Sequence, residues 1–258
     1  MESNLKEQLR IQKMNIDERM SKIGKKIAIG SGKGGVGKSV VTSLIASYLA
    51  KQGKTVGVLD LDITGPSIPM MFGIDERPIG GSSGILPVLS KSGIKIMSMS
   101  LFLPNNGEAV IWRGLRISGV VSQFLADVVW EDIDYLLFDL PPGTSDVQLT
   151  LMQNIKLDGF VVVSSPQVLA ATIVKKAVSM AEELNVKVLG VVENMAYASC
   201  PKCGKKIDVF GDGGRSKLEL PLIGSIPIDP DISKLCDEGK IEDYQINLDE
   251  IYQILEDI

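Results

Sequence analysis

The sequence predicts an α/β fold: a doubly wound, mostly parallel sheet with helices on both faces, built as a single domain. Three observations predict it. Short apolar runs alternate with longer helical patterns along most of the chain, as strands joined by crossover helices do. The runs are apolar on both faces, as expected of strands covered from both sides. A glycine-rich segment, residues 32–39, lies between the first such run and the first such helix, where an open α/β sheet binds phosphate.

Each element follows from its residues. Runs at 26–30 (KIAIG), 56–60 (VGVLD), 94–99, 135–139 (YLLFD), 160–164 and 186–193 read as strands. Residues 38–51, 115–127, 145–154 and 168–184 carry helical spacing between them. Residues 1–24 form a separate helical extension with a loose apolar stripe of Leu5, Leu9, Ile16, Met20 and Ile23. That stripe suits packing on the chain's own domain or, alternatively, a partner-binding arm. The segment 78–84 (PIGGSSG) reads as a mobile loop, and 247–258 as a short acidic helix.

Composition excludes several classes. With 258 residues, the chain fits one large α/β domain. A net charge of −5 argues against a sequence-independent grip on nucleic acid or acidic lipid. The first 24 residues lack an apolar signal core, and no apolar run approaches the roughly 18 residues that span a bilayer. Three cysteines, Cys200, Cys203 and Cys236, point to a reducing compartment, so a cytoplasmic location is expected. Histidine is absent, which leaves thiolate, carboxylate and carbonyl as metal ligands.

The strongest chemical signal is Gly32-Lys33-Gly34-Gly35-Val36-Gly37-Lys38-Ser39, a match to G-x-x-x-x-G-K-[ST] in strand–loop–helix context. Glycines let successive N–H groups face phosphate oxygens, and the helix adds its positive end. Lys38 is placed to reach the β- and γ-phosphates and Ser39 to ligate Mg²⁺. Asp60 and Asp62 close the second strand at the edge where such sheets bind ligands. Asp62 is the candidate for orienting an attacking water and Asp60 for the Mg²⁺ shell. Asp139 ends its strand in Walker-B fashion and is expected to hold Mg²⁺ through water. In the stiff turn that follows, Gly143 can bring its N–H to a γ-phosphate and act as a switch.

A second site is Cys200-Pro201-Lys202-Cys203-Gly204. Two thiols at this spacing bind one metal, and Lys202, Lys205 and Lys206 are expected to favour thiolate. A tetrahedral thiolate site needs four ligands, and one chain offers two here. Two copies about a two-fold axis would supply the rest. A [4Fe–4S] cluster, Zn²⁺ and redox-active thiols all fit the pair. Cys236, in the helical stretch 231–238, reads as a buried small apolar residue.

The segment GKGGVGKS closely resembles the deviant P-loop of the MinD, ParA and nitrogenase-iron-protein superfamily. There the first lysine, here Lys33, crosses a dimer interface to the partner's nucleotide. An analogous arginine finger accelerates phosphoryl transfer by roughly 10³–10⁵. With LDLDITGPSIP, IWRG at 111–114, FDLPPGTSD, VENMAYASCPKCGKKIDVFG and PLIGSIPIDP added, the chain resembles the Mrp/ApbC family of iron–sulfur cluster carrier ATPases from residue 26 to residue 240. The resemblance implies slow ATP hydrolysis and a homodimer holding a labile [4Fe–4S] cluster between its C-x-x-C pairs. It implies delivery of that cluster to apo iron–sulfur proteins, with no nucleic-acid or membrane partner. By position it also implies that Asn194 hydrogen-bonds adenine and that backbone near Pro227 bounds the base. In these terms residues 25–258, knuckle 200–203 included, form the ATPase domain. Two competing readings are a MinD/ParA-like positional switch, which needs a free membrane-binding helix or a basic face, and a P-loop enzyme for a small molecule in which zinc staples the knuckle.

Overall fold

A computed structural model describes residues 2–62, 65–102, 117–166, 168–200, 202–210 and 220–258, except the side chains of 2–5, 117, 168–174 and 177. Ile63, Thr64, the 111–114 motif, the start of the 115–127 helix, Pro201 and the side chain of Leu5 therefore lie outside the described residues.

The order is α1 (Glu2–Ser21), β1 (Ile23–Ser31), α2 (Lys38–Lys51), β2 (Val56–Asp60), α3 (Ile68–Met71), β3 (Ile79–Gly81), β4 (Gly84–Leu86), β5 (Val88–Leu89) and β6 (Lys95–Ser98). Then come α4 (Ile117–Asp127), β7 (Ile133–Asp139), α5 (Asp146–Asn154), β8 (Gly159–Ser164), α6 (Val168–Glu183), β9 (Val188–Glu193), β10 (Ala198–Ser199), β11 (Lys206–Ile207), β12 (Leu222–Ser225), α7 (Pro230–Asp237) and α8 (Asp249–Glu256). Eight strands form one sheet in the order β12-β9-β8-β1-β7-β2-β6-β5. Every pairing in it is parallel except that of the short edge strand β5 with β6. The doubly wound expectation holds.

Side-chain alternation explains the two covered faces. Ala28, Leu136, Phe138, Phe160 and Val162 enter one core, with Ile16 and Met20 of α1 and Leu125 of α4. Ile27, Ile29, Tyr135, Leu137, Val161 and Val163 enter the other, with Val41, Leu44 and Ile45 of α2. The α1 stripe is only half used: Ile16 and Met20 are buried, Leu9 is exposed, and Ile23 already belongs to β1. Lys13 Nζ donates to Asn154 O at 2.7 Å and Arg19 Nε to Ala126 O at 3.4 Å, tying α1 to the ends of α5 and α4.

One expectation is corrected. The 78–84 segment is not a loop throughout, because Ile79–Gly81 pairs antiparallel with Gly84–Leu86. Its glycines serve the tight reversal, and Gly84 adopts φ +129°.

Candidate functional site: a P-loop and a thiol knuckle

The C-terminal ends of β1, β2 and β7 lie side by side. In the parallel register Asp139 pairs with Ile29 on one flank and with Asp60 on the other. The next residues extend the ladder: Leu140 N–H donates to Ile29 O at 3.0 Å and Leu61 N–H to Asp139 O at 2.9 Å. Two strand-end carboxylates therefore face the loop that leaves β1.

That loop bends as its glycines require. Gly35 and Gly37 both have φ +78°, a left-handed conformation that costs a side-chain-bearing residue. At Gly37 a Cβ would also sit 2.1 Å from Asn194 Nδ2. Asn194, expected against adenine, donates instead to Val36 O at 2.9 Å and so pins the loop to the end of β9. Pro227 borders a cleft of about 560 Å³ with Tyr197, Lys206, Asp229 and Tyr244, and no residue of 32–39 borders that cleft.

Asp139 collects the donors of α2. Lys38 Nζ reaches its Oδ2 at 2.7 Å, Ser39 Oγ reaches the same oxygen at 2.6 Å, and Thr42 Oγ1 reaches Oδ1 at 2.6 Å. Lys38 also lies 3.9 Å from Asp62 Oδ2. Asp62 is held by its own N–H on Asp60 Oδ1 at 3.0 Å, and its Oδ1 accepts from Gly65 N–H at 3.3 Å. Asp60 is fully buried and accepts from Ser98 Oγ at 3.1 Å. Burial, then the adjacent Asp139 carboxylate, pushes the Asp60 carboxyl up to about 8 despite the opposing Lys38 charge. The Ser39 hydroxyl and the Asp139 carboxylate converge as a small, hard oxygen set that suits Mg²⁺, which binds through few protein ligands and keeps its waters.

Gly143, expected to face a γ-phosphate, donates its N–H to Ser31 O at 2.8 Å. Ser31 Oγ in turn donates to Lys33 O at 3.0 Å. The turn at Gly143 and the first loop lysine thus share Ser31, a residue that sequence reasoning does not single out. Thr42, Ser98 and Gln148 were likewise missed. Thr42 carries a signal in its i+4 spacing from Lys38, and Gln148 in its S-x-x-Q spacing from Ser145; Ser98 carries none.

The knuckle projects from a two-stranded ribbon, β10 against β11. Cys200 N–H donates to Lys205 O at 2.9 Å and Gly204 N–H to Cys200 O at 2.8 Å, closing the turn. Both thiols are free, Cys200 half-buried and Cys203 exposed. The Cys200 thiol is held below its usual value, but the cause is not the expected lysine charge. It is the N–H of Lys202, then that of Cys203, then the Cys203 thiol. Among the described residues no cluster of three or more His, Cys, Asp or Glu could hold a metal. Cys236 is only partly buried, and burial, then Asp237, raises its thiol.

This fold and this loop define a P-loop NTPase with a second lysine in its phosphate loop. Residues 22–258 match the family described as ParA: NUBPL iron-transfer P-loop NTPase, and the chain belongs to that family. It is 48% identical over 234 residues to the iron–sulfur cluster carrier protein of Methanocaldococcus jannaschii, covering 88% of this chain and 81% of that protein. It is also 48% identical over 230 residues to the iron–sulfur cluster carrier protein of Clostridium perfringens, covering 84% and 81%. Among solved structures, a nucleotide-binding protein of Archaeoglobus fulgidus in complex with ADP superposes with TM-score 0.81 at 47% identity, covering 93% of this chain and 96% of that one. MinD of Pyrococcus horikoshii, at 19% identity and TM-score 0.64, covers 91% and 95% and shares the fold.

Proposed function

We propose that this chain hydrolyses ATP slowly and carries a labile [4Fe–4S] cluster between two copies of itself, delivering it to apo iron–sulfur proteins. The cluster is cargo, bound by Cys200 and Cys203 of each copy. One observation carries the reading: two accessible thiols, one of them biased to thiolate by backbone N–H groups, stand without a third ligand among the described residues. Half a cage on the surface suits an object that must be released, because a small motion between the copies alters all four bonds. The carrier names of relatives near half identity support it.

At the P-loop, Lys38 and the N–H groups of 34–39 bind the phosphates, Ser39, Asp60 and Asp139 hold Mg²⁺, and Asp62 orients water. Lys33 acts in the partner's site, and Asn194 and Pro227 bound the base once Asn194 turns from Val36 O. Residues 25–258 form the working domain, in the cytoplasm. A membrane-bound positional switch is disfavoured because α8, the helix it would need free, buries Ile251 and Leu255 in its own core.

Anaerobic reconstitution with iron and sulfide, followed by absorption spectroscopy and sizing, tests the proposal. Loading should produce a dimer with one cluster per two chains, and Cys203→Ala should not load. A loaded monomer, or stoichiometric zinc with no capacity for iron and sulfide, overturns it.

A further inference from the structure

The start of α5 spells Ser145-Asp146-Val147-Gln148, the S-x-x-Q pattern of a capping box. In such a box the serine hydroxyl accepts from the N–H three residues on, and the glutamine side chain accepts from the serine N–H. Ser145 has the extended backbone of a helix cap, φ −127° and ψ 160°, yet its side chain makes no cap bond. Gln148 is turned the other way. Its Nε2 donates to Pro141 O at 2.8 Å and to Gly143 O at 2.6 Å. Those two carbonyls fix the orientation of the amide and leave Oε1 buried. Ser145 Oγ and Gln148 Oε1 are both buried with no hydrogen-bond partner among the described residues. An orphaned buried acceptor costs free energy, so an arrangement that supplies it a donor competes with the one seen here.

We propose that Gln148 is a positioning residue that latches the 141–143 turn in the arrangement seen here and releases it when Ser145 and Gln148 close their capping box. While latched, the Gly143 N–H is committed to Ser31 O. Once the turn is released, that N–H can meet a γ-phosphate, and the two orphaned oxygens gain N–H donors in the box. ADP has no γ-phosphate to reward the release. The balance between latch and box therefore sets how well the site tells ATP from ADP. Because Ser31 Oγ also holds Lys33 O, release of the turn reaches the first loop lysine through a single residue.

This role rests on the nucleotide reading above, and calorimetry on the full chain with Mg²⁺ separates the two. ADP and a non-hydrolysable ATP analogue are titrated into wild type, Gln148→Met and Ser145→Ala. Gln148→Met removes the latch but keeps Ser145 Oγ as a cap, so preference for the analogue over ADP rises. Ser145→Ala keeps the latch and removes the cap, so that preference falls. Each shift is expected at roughly three- to tenfold, the scale of one net hydrogen bond. Equal loss of both nucleotides, an unmoved ratio, or shifts of one sign in both variants overturn the latch. Wild type that binds neither nucleotide sinks the nucleotide reading and the latch together. Wild type that binds both, with ratios unmoved, sinks the latch alone.

Discussion

The ammonium of Lys38 lies 2.7 Å from the Asp139 carboxylate, and both groups are withdrawn from solvent. Removing one partner of such a pair leaves the other charge buried and uncompensated, which costs about 3–5 kcal/mol. Lys38→Ala is therefore expected to lose that much stability in urea unfolding measured without nucleotide, as well as nucleotide affinity. The double variant Lys38→Ala, Asp139→Asn should recover much of the stability and none of the binding. No recovery in the double variant would show that the pair is not the source of the loss.

Lys33 sits at the head of the same loop, and its own carbonyl is held by Ser31. Lys33→Ala should bind ATP close to normally and slow hydrolysis, toward the roughly 10³-fold scale of a missing arginine finger. Steady-state hydrolysis beside equilibrium titration checks this. Equal loss of affinity in the Lys33 and Lys38 variants would remove the case for action in the partner's site.

The thiols should separate by reactivity. Backbone N–H groups lower Cys200 while burial raises Cys236, and the thiolate is the reacting form. In the metal-free protein near neutral pH, mass-resolved alkylation should mark Cys200 well before Cys236. Lys202→Ala should leave the Cys200 rate nearly unchanged, since its backbone N–H survives. A large drop in that variant would restore the ammonium as the cause.

Asp134 offers a pH test away from the site. Its Oδ2 accepts the N–H and the hydroxyl of Thr55, both at 2.7 Å, and these bonds, the N–H first, lower its carboxyl. A lowered carboxyl stabilises above its unfolded value near 3.9 and loses that contribution as pH falls through the lower folded value. The Tm gap between wild type and Asp134→Asn should be complete above about pH 5 and close in stronger acid. A gap that persists unchanged in acid would assign the effect to packing.

Much of this was legible because it is local. A glycine pattern between an apolar run and a helix, aspartates closing strands, and two cysteines three apart each announce themselves within ten residues. Contacts across the chain did not. Asn194 reaches Val36 from 158 residues away, and only the sheet order brings β9 toward the loop. Strand β12 was unread because LIGS is short and its flanking prolines resemble a loop. The cause of the Cys200 shift is not legible, because a sequence displays side-chain charge but not where backbone N–H groups point. The glycines of 78–84 read as mobility, although glycine also permits the tight pairing of β3 and β4 about Ser82 and Ser83.

The half-built thiol knuckle makes cargo retention a matter of concentration under the proposed reading. If each molecule fills two of four corners, occupancy scales with the square of the number of molecules present. Dilution alone would then loosen the load. A recipient with two well-placed sulfurs could replace one copy, corner by corner, and the cluster need never be bare during the handover.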